Sequence, residues 1–101
     1  MFPIIGVFFA GLFGFNAIPH LIKGITGQTH MTPFKRVSSA YLNVLWAFVN
    51  LATASFLVGF DPTVNLSGLN LGVFLLGGFA ASMADAQLFS NPNARLPWQK
   101  D

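Results

Sequence analysis

Among the polar side chains that interrupt the long apolar stretches of this chain, five could share one site: Asn16, His20, Asn43, Asn50 and Asp85. They offer one carboxyl, one imidazole and three amides, groups that either hold protons and cations or fasten helices together through hydrogen bonds. Asn16 and His20 are spaced i, i+4, and Asn43 and Asn50 i, i+7, so each pair falls on one face of a helix. An ionised Asp at the centre of a bilayer costs about 2.5–3.5 kcal/mol, and less near the interface, so Asp85 is expected to find water or a cation. His20, Lys23 and Arg36 are the candidate cations. Three roles stay open for the group: a polar clamp between helices, a proton, ion or ligand site, or an Asp85 that merely snorkels to the interface.

Other chemistries lack their parts. There is no cysteine, and the two histidines, His20 and His30, are ten residues apart. No metal and no cofactor is therefore expected within one chain, although an axial His20 shared with a second subunit stays open. Ser82 or Ser90 with His20 and Asp85 supplies the residue types of a serine hydrolase, but no nucleophile elbow accompanies them. Gly24-Ile25-Thr26-Gly27-Gln28-Thr29 has no P-loop lysine and follows an apolar segment rather than a strand. Asn65-Leu66-Ser67 matches a glycosylation sequon but lies too close to an apolar span. The chain is not expected to be an enzyme.

The elements that must position these residues follow from composition. Of 101 residues 53% are apolar and only 8% charged, with a mean hydropathy of +0.62, whereas a soluble domain carries about 25% charged residues. So few charges cannot wet the surface of a soluble monomer, which makes lipid the expected solvent. A net charge of +2 is too small for nucleic-acid binding. Three stretches reach the roughly 20 residues that span a bilayer, at 2–22, 40–60 and 68–89. The first ends at Lys23-Gly24, read as a cation followed by a C-cap glycine, and the second at Asp61-Pro62. The third opens at Asn65 or Ser67 and closes at Ser90-Asn91-Pro92. Thr32-Pro33 would also serve as an N-cap and first helical position for the second helix. Pro19 is expected either to kink the first helix or to help end it.

The expected fold is thus an all-α integral membrane protein with three transmembrane helices in one domain, a loop over 23–39 and a tail over 90–101. The first segment lacks the basic flank and small-residue cleavage site of a signal peptide, and unbroken apolar runs do not suit a barrel. Lys23, Lys35, Arg36, Arg95 and Lys100 all fall on one side, which the positive-inside rule assigns to the cytoplasm. That places the N-terminus outside and the C-terminus inside. His20, Asn43 and Asp85 then lie at one depth, about 4–8 Å inside the cytoplasmic boundary, and with Asn16 would form one cluster. Gly6, Ala10 and Gly14 repeat at spacing four and are expected to pack against a helix, with Ala47, Asn50 and Ala54 as a matching face. The run from Gly77 to Ala86 is also rich in small residues, and Trp98 would suit an interfacial anchor.

The run Asn16-Ala17-Ile18-Pro19-His20, then Gly24 and Gly27, Thr32-Pro33-Phe34, Asn43-Val44-Leu45-Trp46 and Asn50-Leu51 resembles a group of small uncharacterised bacterial inner-membrane proteins. The resemblance covers the first half of the chain. It implies a bacterial cytoplasmic-membrane setting and a structured loop, and brings no activity, substrate or cofactor. The expected function is an accessory or structural membrane subunit or a homo-oligomer, with the bilayer and a homo-oligomer or larger membrane complex as partners. The alternative is an oligomeric proton, ion or small-solute transport unit built around the inner-leaflet cluster, since three helices alone rarely enclose a path.

Overall fold

The computed structural model describes residues 2–59, 65–93 and 96–99. Asp61, Arg95 and Lys100, on which part of the expected orientation rests, lie outside the described residues. The described chain is mostly helical: α1 spans Phe2–Ile25, α2 Ala40–Gly59 and α3 Gly68–Phe89. Over Ile4–Ile25, Ala40–Gly59 and Gly68–Phe89 these helices are long and apolar enough to cross a membrane. The molecule measures 43 × 23 × 23 Å, close to the roughly 40–45 Å thickness of a bilayer with its headgroups.

α1 runs past Pro19 and past Gly24 to Ile25, so neither residue ends it. Its C-terminus is a Schellman motif. Gln28 N–H donates to Lys23 C=O at 2.8 Å and Gly27 N–H to Gly24 C=O at 3.1 Å, with Gly27 at φ +75°. Gly27, not Gly24, is therefore the capping glycine. Gly24 serves a different need, because a Cβ there would come within 2.8 Å of the Ala40 carbonyl oxygen and press into Val44. Its missing side chain lets the end of α1 lie against the start of α2.

The expected loop over 23–39 contains a small antiparallel hairpin, β1 (His30–Thr32) and β2 (Lys35–Ser38). Pro33-Phe34 forms the turn, and Thr32 Oγ1 accepts from Phe34 N–H at 3.2 Å. Thr32 is thus a turn residue rather than the cap of α2. That cap is Ser39, whose Oγ accepts the Leu42 N–H at 3.1 Å. Phe34 at the turn sets its ring edge against Trp46 of α2, centroids 5.3 Å apart. The tail returns to the hairpin: Trp98 Nε1–H donates to Pro33 C=O at 2.7 Å and Gln99 Nε2–H to Thr32 C=O at 2.6 Å.

α1 is the central helix. It packs along both α2 and α3, which scarcely touch each other. Close approach on the α3 side depends on glycine: a Cβ on Gly11 would overlap the Phe74 carbonyl, one on Gly77 the Phe8 carbonyl, and one on Gly78 the Phe15 ring. On the α2 side Gly14 meets Ala54, and a Cβ there would sit at an ordinary 3.7 Å. Gly6 and Ala10 are buried. The interior is lined by small residues such as Ala10, Ala17, Ala47 and Ala81, whereas Leu69, Phe79 and Phe56 are 75%, 63% and 62% exposed. Asn43 and Asn50, by contrast, are 0% and 2% exposed. This is the reverse of a soluble domain, in which large apolar side chains fill the core.

Candidate functional site

Successive turns of α1 and α2 bring the polar side chains to the hairpin end of the bundle, where they form two hydrogen-bonded groups. The first is centred on Asn43. Its Nδ2 donates to the carbonyls of His30 at 3.0 Å, Ser38 at 3.2 Å and Ser39 at 3.0 Å. Three carbonyl acceptors fix the orientation of the amide, so its Oδ1 must be the atom that meets His20 Nδ1 at 2.8 Å. The Nδ1 of His20 is therefore the donor, and in the neutral ring Nε2 keeps its lone pair. One side chain thus ties α1, α2 and both hairpin strands together. Thr32 Oγ1 and Ser38 Oγ, both buried, close the hairpin behind it at 2.7 Å.

The second group links all three helices. Asn50 Nδ2 donates to the Trp46 carbonyl at 2.9 Å, and Asn50 Oδ1 lies 3.2 Å from the Nδ2 of Asn16. On its other side the Asn16 amide meets both carboxyl oxygens of Asp85, at 2.8 and 3.1 Å. Asp85 is only partly buried. It shares with Asn16, His20, Trp46, Phe89 and Leu96 a cavity of about 160 Å³ between the helices and the hairpin.

Asp85 makes its direct contact with an amide, and His20 lines the same cavity. Lys23 Nζ donates to Gln28 Oε1 at 3.1 Å, and Arg36 Nη2 to the Pro92 carbonyl at 2.7 Å, while His20 gives its Nδ1–H to Asn43. The physical reason is helix rotation. The glycine contacts on α1 turn Asn16, one turn before His20, toward α3, and the hairpin claims the imidazole. A Ser–His–Asp relay is not assembled either, since the hydrogen-bonding partner of Asp85 is Asn16 and that of His20 is Asn43.

Sequence reasoning overlooked His30. The hairpin folds it back so that its ring lies 5.2 Å from His20 and 4.2 Å from Phe89, centroid to centroid. Its Nε2 is buried without a hydrogen-bond partner among the described residues. Burial, reinforced by the nearby His20 and Lys23 charges, pushes this imidazole down to about 4. The clue lay in the Thr-Pro-Phe turn, which returns the chain on itself and so carries His30 beneath α1. Among the described residues no three His, Asp or Glu side chains converge to hold a metal ion. Chemically, the site is a set of amides and ring nitrogens that fix one another, plus one carboxyl beside a cavity.

Against known protein families, curated proteins and solved structures, the chain matches none.

Proposed function

We propose that this chain is a small multi-pass protein of the bacterial cytoplasmic membrane, acting as an accessory or structural subunit of a larger complex or as a homo-oligomer. Its polar cluster is chiefly architectural. The observation that carries this reading is Asn43: a fully buried amide whose Nδ2 and Oδ1 are both engaged in holding α1, α2 and the hairpin in one arrangement. The apolar exterior supports a lipid setting, and Lys23, Lys35 and Arg36 at the hairpin end support a cytoplasmic hairpin, with the N-terminus outside. Active-site equipment is sparse, in keeping with a non-enzymatic role.

The test is purification from native membranes into nanodiscs, with stoichiometry measured by mass and any co-purifying chain identified. A defined homo-oligomer or a stoichiometric complex is expected, with no proton or ion flux when the chain alone is placed in liposomes. A monomer that conducts would overturn the reading. One observation favours a transport unit as the second reading: Asp85 lines a cavity and lies outside the Asn43 clamp. In that case several copies would surround a path including Asn16 and Asp85, and flux would be lost in Asp85→Asn.

A further inference from the structure

The amide chain through Asn16 contains one hydrogen too few. It has three junctions: Asp85 to Asn16, Asn16 to Asn50, and Asn50 to the Trp46 carbonyl. Each junction joins two heavy atoms at hydrogen-bond distance and needs one hydrogen between them. The Asn50 amide supplies one, to Trp46, and the Asn16 amide can face either Asn50 or Asp85 but not both. If Asn16 Nδ2 turns to the carboxylate, its own Oδ1 is left 3.2 Å from Asn50 Oδ1. Reversing Asn50 as well only moves the conflict, setting Asn50 Oδ1 against the Trp46 carbonyl oxygen. With Asp85 unprotonated, two oxygens face each other somewhere along the chain in every arrangement.

We propose that Asp85, Asn16 and Asn50 form a specific binding site for one proton, held on Asp85 and completing a hydrogen-bond chain across all three helices. Protonated Asp85 donates O–H to Asn16 Oδ1, Asn16 Nδ2–H donates to Asn50 Oδ1, and Asn50 Nδ2–H donates to Trp46 C=O. Every acceptor is then satisfied, and the only bond formed on loading is the O–H of Asp85. The proton site goes beyond an architectural role, because loading it sets which way the Asn16 amide points and so whether α3 is joined to α2 through α1.

Among the described residues the other titratable groups near Asp85 are few. His20 on α1 shares one cavity with it, and His30 on β1 shares a second groove. Lys23 and Arg36 are engaged with Gln28 and Pro92, Lys35 lies on β2, and α2 carries only Tyr41 at its exposed start. α3 contains no other ionisable side chain.

The experiment is infrared difference spectroscopy on the whole chain in nanodiscs, reading the C=O band of a protonated carboxyl. Wild-type protein at neutral pH is expected to show a band that Asp85→Asn removes and that alkaline pH abolishes. Because the Asn side chain can donate N–H to Asn16 Oδ1 as the acid does, Asp85→Asn should keep the assembly and lack the alkaline fall in stability that the proposal requires of wild type. Asn50→Ala is the decisive second variant. It leaves Asp85 untouched but frees Asn16 to turn its N–H to the carboxylate, so the band should vanish at neutral pH. Absence of the band in wild type, as in an ionised Asp85 facing a cationic His20, overturns the proposal. So does a band that survives Asn50→Ala, or one that responds to sodium rather than to pH.

Discussion

Replacing Asn43 by alanine removes the side chain on which the hairpin end depends, and its cost can be built from the contacts. The His20 Nδ1–H loses its acceptor at 2.8 Å and becomes a buried donor without a partner, worth about 1–3 kcal/mol. The His30 and Ser38 carbonyls each lose the Nδ2 donor, at about 0.6 kcal/mol apiece on the scale of interhelical bonds in membranes. The Ser39 carbonyl loses little, because the backbone N–H of residue 43 still reaches it at 3.0 Å. The sum is about 2–4 kcal/mol. Asn43→Asp separates the two halves of this sum, since its carboxylate still accepts from His20 but faces three carbonyls with no hydrogen to give. It should therefore be no better than alanine. The assay is equilibrium unfolding in mixed micelles, following helix content and the fluorescence of Trp46 and Trp98, the latter bonded to the hairpin through Pro33. A double-mutant cycle with His20→Ala should give a coupling of about 1 kcal/mol. A loss below about 1 kcal/mol for Asn43→Ala, or full stability in Asn43→Asp, would refute the reasoning.

Two further outcomes follow from glycine packing and from His30. Gly11→Ala should destabilise by about 1–3 kcal/mol, because its Cβ meets the Phe74 backbone and the helices must separate. Gly72→Ala, with nothing within 4 Å, should be neutral or stabilising by up to about 1 kcal/mol through helix propensity, and equal effects in the two variants would deny the contact. His30 is neutral in the fold down to about 4, whereas an unfolded chain takes up its proton near the ordinary imidazole value of 6.5. Stability is fully present above that value and should fall as pH drops toward 4, a fall that His30→Phe should abolish in acid titrations followed by circular dichroism.

The three spans were legible because each is an apolar run of bilayer length with its own punctuation, and the starts of α2 and α3 fall where composition changes. The end of α1 was misread at Gly24. Residue type alone does not reveal whether a glycine is needed for positive φ, as at Gly27, or for the close passage of a neighbour, as at Gly24 against Ala40 and Val44. The hairpin escaped because strands of three and four residues are too short to show alternation, and Thr32-Pro33 mimics a helix start. Helical rise is fixed, so a common depth for His20, Asn43 and Asp85 could be inferred from counting. Which of them bond could not, since that depends on the rotation of each helix, set here by Gly11, Gly77 and Gly78. Asp85 consequently makes its direct contact with Asn16.

Between α1 and α3 the polar contact and the glycine contacts occupy different stretches of the bundle, and this makes its two ends mechanically unequal. From Phe8 to Phe15, α1 is held to α3 by surface fit alone, whereas from Asn16 to Gln28 it is held by directed bonds to α2, α3 and the hairpin. Fit without directed bonds tolerates sliding, and directed bonds do not. A force or a thinning bilayer would therefore splay the helices at the end remote from the hairpin first, with the amide chain as the pivot. Agents that compete for hydrogen bonds would act at the pivot, and agents that swell the lipid would act at the arms. Spin labels on Ile5 and Leu71, compared with a pair near Ile22 and Leu88, would see the two ends open under different treatments.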